Sequence, residues 1–468
     1  MLKKSVASIT SNVISIAGMA LSVACLVLIV SLLAMEQIGF KGGPYLGILT
    51  YLILPTVFML GVILIPVGAI RYRRKVLLQY PGHERIPPLP VLDLNSHKTR
   101  VWFLMFLGAT IICIVLLASA TYKGVEVMES VEFCGLACHS VMEPEHTAYQ
   151  RSSHSRVSCA ECHIGPGADW LVKSKLDGTW QLVAVLFDLY PRPIPTPLHD
   201  LRPAQDTCEQ CHWPTRFIGD RLTIRKSYAG DEVNTELTTA ILLKVGGAEE
   251  DKSVGIHWHV DREVQIRYRS DETRENIYEV EFTDKDGSIK VYHDRKAPDN
   301  GGIWRTMDCV DCHNRPSHQF YSPDVEIDRA IHNGQVDQSL PFVKRESLRI
   351  ISTEYASHQE ARKAIASELM DYYTKNHPGI AARRSEEILA ASQALGDIYA
   401  VNVFPDMNVW WDTYPEHIGH EKSPGCFRCH GKKLRTSDRQ YISRDCDICH
   451  TILAEEEENP RTLSDLGL

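Results

Sequence analysis

The chain has 468 residues and a formal net charge of −9, with 59 acidic against 50 basic side chains. That modest negative balance argues against a nucleic-acid partner, and the length allows several domains. The average composition hides an asymmetry: long apolar runs lie before residue 122, and the rest is polar and rich in Cys and His.

Three apolar stretches come first, at about Val13–Met35, Tyr45–Ile70 and Val101–Ala120. As a helix, each reaches across a hydrocarbon core of ~30 Å, so residues 1–122 read as a three-helix membrane anchor. Met1-Leu2-Lys3-Lys4 resembles the charged start of a signal peptide. The apolar run behind it, however, exceeds the usual length of roughly 7–15 residues, and no small-x-small site closes it. A retained anchor is the better reading. Lys3 and Lys4 precede the first span, Arg71, Arg73, Arg74 and Lys75 follow the second, and Lys98 and Arg100 precede the third. Only Lys41 lies in the loop between the first two. The positive-inside rule therefore puts the N-terminus and the 71–100 loop in the cytoplasm, and everything after about Tyr122 in the periplasm. Cys25 and Cys113, in the middle of spans, read as small buried apolar residues.

Beyond the third span, twelve of the fourteen cysteines form six close pairs, each followed directly by histidine. Five read Cys-x-x-Cys-His: Cys159-Cys162-His163, Cys208-Cys211-His212, Cys309-Cys312-His313, Cys426-Cys429-His430 and Cys446-Cys449-His450. The first in the chain, Cys134-Gly-Leu-Ala-Cys138-His139, has one extra residue between its cysteines. With 20 His in 468 residues, chance puts His at a given position roughly one time in 23, so six of six is a signal. Cys-x-x-Cys-His attaches haem c: the thiols become thioethers to the porphyrin, and the His is carried beneath it as an axial iron ligand. Zinc also takes Cys-x-x-Cys but requires no His directly after each pair. For Cys134 and Cys138 a disulfide or a free pair is the alternative. Six covalent haem c groups are expected, and since they are attached on the outer side of the membrane, they agree with the charge-derived orientation.

Residues 123–215 carry the first three motifs and leave little room for a conventional core, so the porphyrins supply the apolar interior. Pro191, Pro193, Pro195 and Pro197 make an extended stretch there. Residues 216–300 read as an inserted small antiparallel β subdomain. Its strands are predicted near Arg221–Tyr228, Ala240–Val245, Val264–Tyr268 and Tyr278–Phe282, with Lys285-Asp286-Gly287 as a hairpin turn. Residues 301–468 hold the last three motifs. Helices are predicted at Ser339–Tyr355, Gln359–Lys375 and Ser385–Val401, with a break at Pro378-Gly379, followed by a loop-rich tail. Its acidic run Glu455–Glu458 is either a solvated tail or a dock for a basic partner.

Each motif histidine gives an iron one axial ligand and leaves the other to be found. Candidates are His154, just before the second motif; His199, at the end of the proline stretch; and His318, after the fourth motif. His257 and His259 alternate on an expected strand edge, so one of them should face a given haem. His417 and His420, before the fifth motif, are likewise alternatives. At the first haem Met142 is the candidate, and His146 competes with it; a Met ligand raises the reduction potential relative to two histidines.

Residues 101–212 resemble the NapC/NirT (and NrfH-like) family of membrane-anchored multihaem quinol dehydrogenases. The resemblance rests on a membrane helix ending before Glu132-Phe133-Cys134, a Met shortly after the first Cys-His, Ser152-Ser153-His154 before Cys159-Ala-Glu-Cys162-His163, and Trp170-Leu-Val-Lys173-Ser-Lys175. The whole chain resembles the larger ImcH-like inner-membrane multihaem cytochromes of metal- and sulfur-respiring bacteria. The resemblance departs at the first motif, where the family has the regular spacing and its Met two residues after the His. It implies a Lys and an acidic residue that contact the quinol, matched here by Lys173, Lys175 and Asp177, for which a charged face near the membrane or contact with haem propionates is the alternative reading. It further implies menaquinol as substrate, supplied by the quinone pool in the membrane lipid. Electrons would enter at the first haem and leave to periplasmic multihaem cytochromes or a periplasmic reductase, in anaerobic respiration at the inner membrane. The alternatives are a terminal reductase of the nitrite or hydroxylamine type, which needs an open iron position, and an accessory haem subunit of a larger respiratory complex.

Overall fold

The computed structural model describes residues 12–37, 49–79, 94–137, 139–165, 168–198, 201–213, 219–246, 248–249, 252–253, 255–261, 264–298 and 301–468. They divide into two compact units, residues 1–138 and 139–468.

The first unit is helical: α1 (Val13–Gln37), a π turn (Leu49–Ile53) leading into α2 (Leu54–Gln79), α3 (His97–Met128) and a second π turn (Phe133–Ala137). Small residues let α1 and α2 touch. A Cβ on Gly18 would lie 2.7 Å from the Gly61 carbonyl, and one on Gly61 would lie 2.5 Å from Ser22 Oγ, the close backbone approach that glycine permits between membrane helices. The buried Ser15 hydroxyl donates to the Ile65 carbonyl at 2.7 Å, so no polar group is stranded there. Val13–Met35 and Leu49–Val76 are long and apolar enough to cross a membrane, while Val23, Val27, Leu60 and Ile63 are exposed, as lipid-facing side chains are. The expected third span lies within α3, a continuous helix of 32 residues. Residues 45–48 of the expected second span lie outside the described residues.

The second unit begins with α4 (His139–Gln150), α5 (Cys159–His163), α6 (Ala168–Leu186) and α7 (Ala204–Cys208). Strands β1 (Asp220–Tyr228) and β2 (Glu236–Lys244) pair antiparallel, a short ladder joins β3 (Ala248–Glu249) to β4 (Lys252–Ser253), and a 3-10 helix covers Ile256–Val260. Strands β5 (Gln265–Ser270), β6 (Ile277–Thr283), β7 (Ile289–Asp294) and β8 (Ile303–Thr306) follow, then α8 (Cys309–Cys312). The β6–β7 turn is the expected one: Asp284 N donates to Ser288 O, and Gly287 takes φ +80°.

The β region is not a self-contained insertion at 216–300. The tail supplies β9 (Gly431–Arg435), β10 (Tyr441–Ile442) and β11 (His450–Glu457). β11 adds to β2 in a three-stranded sheet, and β9 and β10 extend a six-stranded sheet ordered β10-β9-β7-β6-β5-β8. The expected loop-rich tail is thus partly strand, because the edges of β2 and β7 offer unpaired backbone groups that a distant segment satisfies.

Between the sheets' two contributions lies a haem-free helical module: α9 (Pro323–His332), α10 (Val343–Ile351), α11 (His358–Asn376), α12 (Pro378–Arg383) and α13 (Ser385–Asn402). Ala361, Ile365, Leu369 and Tyr373 recur every fourth residue on α11 and pack on Ile388, Ala391, Leu395 and Tyr399 of α13, the stripe that a 3.6-residue period lays on one face. The helix expected from Ser339 starts only at Val343, because Phe342 takes a left-handed φ of 59°. Pro378 opens α12 instead of simply breaking the run, as proline suits a first helical turn. Leu369→Ala, at a fully buried position, is expected to cost this module about 2–5 kcal/mol. Hydrogen exchange of α11 and α13 should report that loss while the Soret spectrum of the holoprotein stays unchanged.

Candidate haem-binding sites

The second and fourth motifs are each a single helical turn, which puts cysteines three residues apart on one face. In α5, Ser158 caps the turn by accepting from Glu161 N. In α8, Asp308 and Asp311 form a reciprocal capping box. The fifth and sixth motifs start in 3-10 turns, Gly425–Arg428 and Cys446–Ile448. None of the described motif cysteines is in a disulfide, as thioether formation requires. Among the described residues no group of three or more His, Cys, Asp or Glu side chains is arranged to hold a metal ion by itself.

Five of the motif histidines face a second histidine. Ring centroids lie 6.2 Å apart for His163 and His318, 6.0 Å for His212 and His154, 6.4 Å for His313 and His257, 5.8 Å for His430 and His259, and 6.0 Å for His450 and His420. Two imidazoles on one metal, with nitrogens about 2 Å from it, put their centroids roughly 6.3 Å apart. These five gaps fit one iron each.

Hydrogen bonds set the tautomers. Nδ1 of His154, His257, His259, His318 and His430 approaches the carbonyl of Pro316 (3.2 Å), Val245 (2.7 Å), Ile256 (2.8 Å), Glu145 (3.0 Å) and Ser443 (2.6 Å). A carbonyl only accepts, so Nδ1 carries the proton and Nε2 is left available to a metal, the usual orientation of a metal-binding histidine. His450 Nδ1 is buried without a partner among the described residues. Burial and, behind it, the facing His318 lower the pKa of His163. Burial likewise lowers His259 and His313, with neighbouring histidines adding to the shift. A neutral imidazole is the form that binds iron.

His257 and His259 stand on a 3-10 helix, not a strand edge, and face the fourth and fifth motifs separately. Of the other doublet, His420 faces His450, whereas His417 is buried between the Asp311 carbonyl at Nδ1 (3.2 Å) and Glu275 Oε1 at Nε2 (2.7 Å). With both nitrogens engaged, His417 has none left for iron. His199 and Cys138 lie outside the described residues, as does the side chain of His139. Met142 is half-buried on α4. His146 stacks on Tyr149 and reaches Gln150.

The second to sixth motifs adjoin one another in chain order. Cys162 is influenced by Cys211, the Cys208 and Cys309 thiols are hydrogen-bonded, Cys312 is influenced by Cys426 and Cys429, and Cys449 by Cys426. Burial, ahead of these neighbours, pushes Cys312 up to about 12 and Cys429 to about 11. Sequence reading missed the polar groups that join these sites. Buried Asp311, inside the fourth motif, accepts from Tyr268 and from Arg274 (3.0 Å). Arg428, inside the fifth motif, donates to the Asp311 carbonyl. The only hint in the sequence is that both are charged residues inside a haem motif.

Lys173 and Lys175 are half-buried on α6, with Lys173 Nζ 5.3 Å from the centre of the Trp170 ring, while Asp177 is exposed. The same helix exposes Leu176, Trp180, Leu182 and Leu186.

Residue pairs of this kind, on a chain with apolar spanning helices, define a membrane-anchored multihaem c-type cytochrome. Residues 95–191 match the NapC/NirT cytochrome c family, N-terminal region. Over 454 residues the chain is 44% identical to the cytochrome c-type protein ImcH of Geobacter sulfurreducens, covering 96% of this chain and 89% of that one. No solved structure matches. The chain belongs to the NapC/NirT-like, ImcH-type multihaem cytochromes, electron-transfer proteins with covalently bound haem c. Asp311→Ala strands Arg274 and Tyr268 in the interior, which is expected to cost about 3–5 kcal/mol. Denaturant unfolding and a haem count of the variant check this, with Asp311→Asn expected to lose less.

Proposed function

We infer that the protein oxidises a membrane quinol, menaquinol by preference, and delivers the electrons to a periplasmic carrier such as a multihaem cytochrome or a reductase. The observation that carries this reading is the set of five facing histidine pairs on motifs that adjoin in chain order. Bound haem c supplies one-electron iron chemistry. In this reading the proximal ligands are His139, His163, His212, His313, His430 and His450, the distal ones are His318, His154, His257, His259 and His420 in chain order of their sites, and Met142 serves the first site. Cys208 and Cys309 lie beside each other, so the haems that they would hold belong to adjoining sites. Two imidazoles per iron would leave no open position at those five sites, which supports electron transfer over a terminal reductase.

Quinol oxidation releases two protons with two electrons, so groups that take protons must lie where the quinol arrives. Lys173, Lys175 and Asp177 are the proposed candidates. The exposed apolar arc of α6 around Leu176, Trp180 and Leu186 supports a site reached from lipid, since such a surface suits the membrane interface. The cytoplasmic N-terminus and the periplasmic haem domain rest on the distribution of Lys and Arg.

Reduction of the detergent-solubilised protein by a menaquinol analogue, followed in the haem α-band beside a pyridine haemochrome count, is expected to be fast and to give six haems. Six haems reducible by dithionite but not by quinol would transfer quinol oxidation to another subunit, and five haems would remove the Cys134 site. Asp177→Asn should slow quinol-dependent reduction by at least about tenfold if it is the proton acceptor, with dithionite reduction unaltered. His420→Ala should add a high-spin haem signal that His417→Ala does not.

A further inference from the structure

We propose that Glu145 is a positioning residue that fixes the distal histidine of the second haem site and holds that haem at a low reduction potential. The inference rests on reading His318 as the ligand opposite His163. His318 Nδ1 lies 3.0 Å from the Glu145 carbonyl and 3.2 Å from Glu145 Oε2. Among the described residues it is the only one of the ten facing histidines shown with a carboxylate at Nδ1; His154, His257, His259 and His430 have a main-chain carbonyl there. The carboxylate is itself held. Arg315 donates from Nη2 to both Glu145 oxygens, at 3.0 and 2.9 Å, and both side chains are nearly buried, 7% and 12% exposed. Arg315 in turn lies over the Tyr414 ring at 4.1 Å and donates through Nε to the His318 carbonyl. Ligand, carboxylate and guanidinium therefore form a closed circuit with little freedom to turn.

A carboxylate accepting the Nδ1 proton makes an imidazole more basic at Nε2. A more basic ligand stabilises ferric over ferrous iron, and hydrogen bonding of this kind is a recognised means of setting haem potential. The buried guanidinium opposes part of this through its charge, so removing each partner should move the potential in opposite directions. Glu145 also sits one turn beyond Met142 on α4, tying the segment after the first motif to the ligand of the second site.

The test uses the full-length, haem-loaded protein in detergent, with spectroelectrochemical titration and low-temperature EPR. Glu145→Gln should shift one haem's ferric-to-ferrous equilibrium about tenfold toward ferrous, a rise of about 59 mV for one electron, with its low-spin signal altered and haem content unchanged. Arg315→Gln should lower the same midpoint. The Glu145→Gln/Arg315→Gln double variant, which leaves net charge unchanged and no buried charge alone, should still raise it; this variant carries the test if the single one fails to fold. Glu145→Asp should recover part of the shift. His318→Ala is expected to yield one high-spin haem. A high-spin haem in that variant with no midpoint moved by any Glu145 substitution overturns the role of Glu145 alone. No high-spin haem overturns the His163–His318 pairing and this inference with it.

Discussion

The second unit is organised by the facing of two imidazoles across a gap the size of one iron. Each such pair joins segments far apart in the chain: 154 with 212, 163 with 318, 257 with 313, 259 with 430, and 420 with 450. A second histidine is useful only if its ring is turned toward the gap, and for His154, His257, His259 and His318 main-chain carbonyls do the turning by accepting from Nδ1. The loop after the fourth motif illustrates the economy of this arrangement. Its His318 faces the second motif, its Pro316 carbonyl orients His154 toward the third, and its Asn314 side chain receives the backbone N–H of His417 and donates to the Pro415 carbonyl.

Charged groups buried among the motifs tie these segments together further. Asp311 gathers Tyr268, Arg274 and its own helix cap, while Arg428 reaches from the next motif to the Asp311 carbonyl and to the Arg274 carbonyl at 2.7 Å. Glu145 and Arg315 do the same around His318. Such pairs add little stability over a well-packed apolar alternative, but breaking one partner is costly. Their effect is to fix orientation, which matters for ligands whose geometry sets a potential.

The helical module from α9 to α13 follows different physics. Its interior is conventional, with Ile365, Leu369, Tyr373, Leu395 and Tyr399 fully buried. The motif regions have smaller clusters, such as Val141, Phe320, Phe404 and Tyr414. That contrast explains why residues 343–402 were legible from helical periodicity while the stretch around the motifs was not. The sheets were legible as strands but not as sheets, since β9, β10 and β11 come from beyond the helices, and no local pattern states which edge a distant strand will join.

What the sequence determined by itself is whatever a short stretch of chain decides alone. Cys-x-x-Cys-His carries its attachment chemistry within five residues, and an apolar run declares a spanning helix by its length. The second histidine at each site belongs to the tertiary structure. His417 and His420 are three residues apart and equal as candidates on paper, yet Glu275 and the Asp311 carbonyl, both more than a hundred residues away, take up His417 and leave His420 facing His450. That choice depends on which distant groups arrive beside each ring, and only the folded chain brings them there.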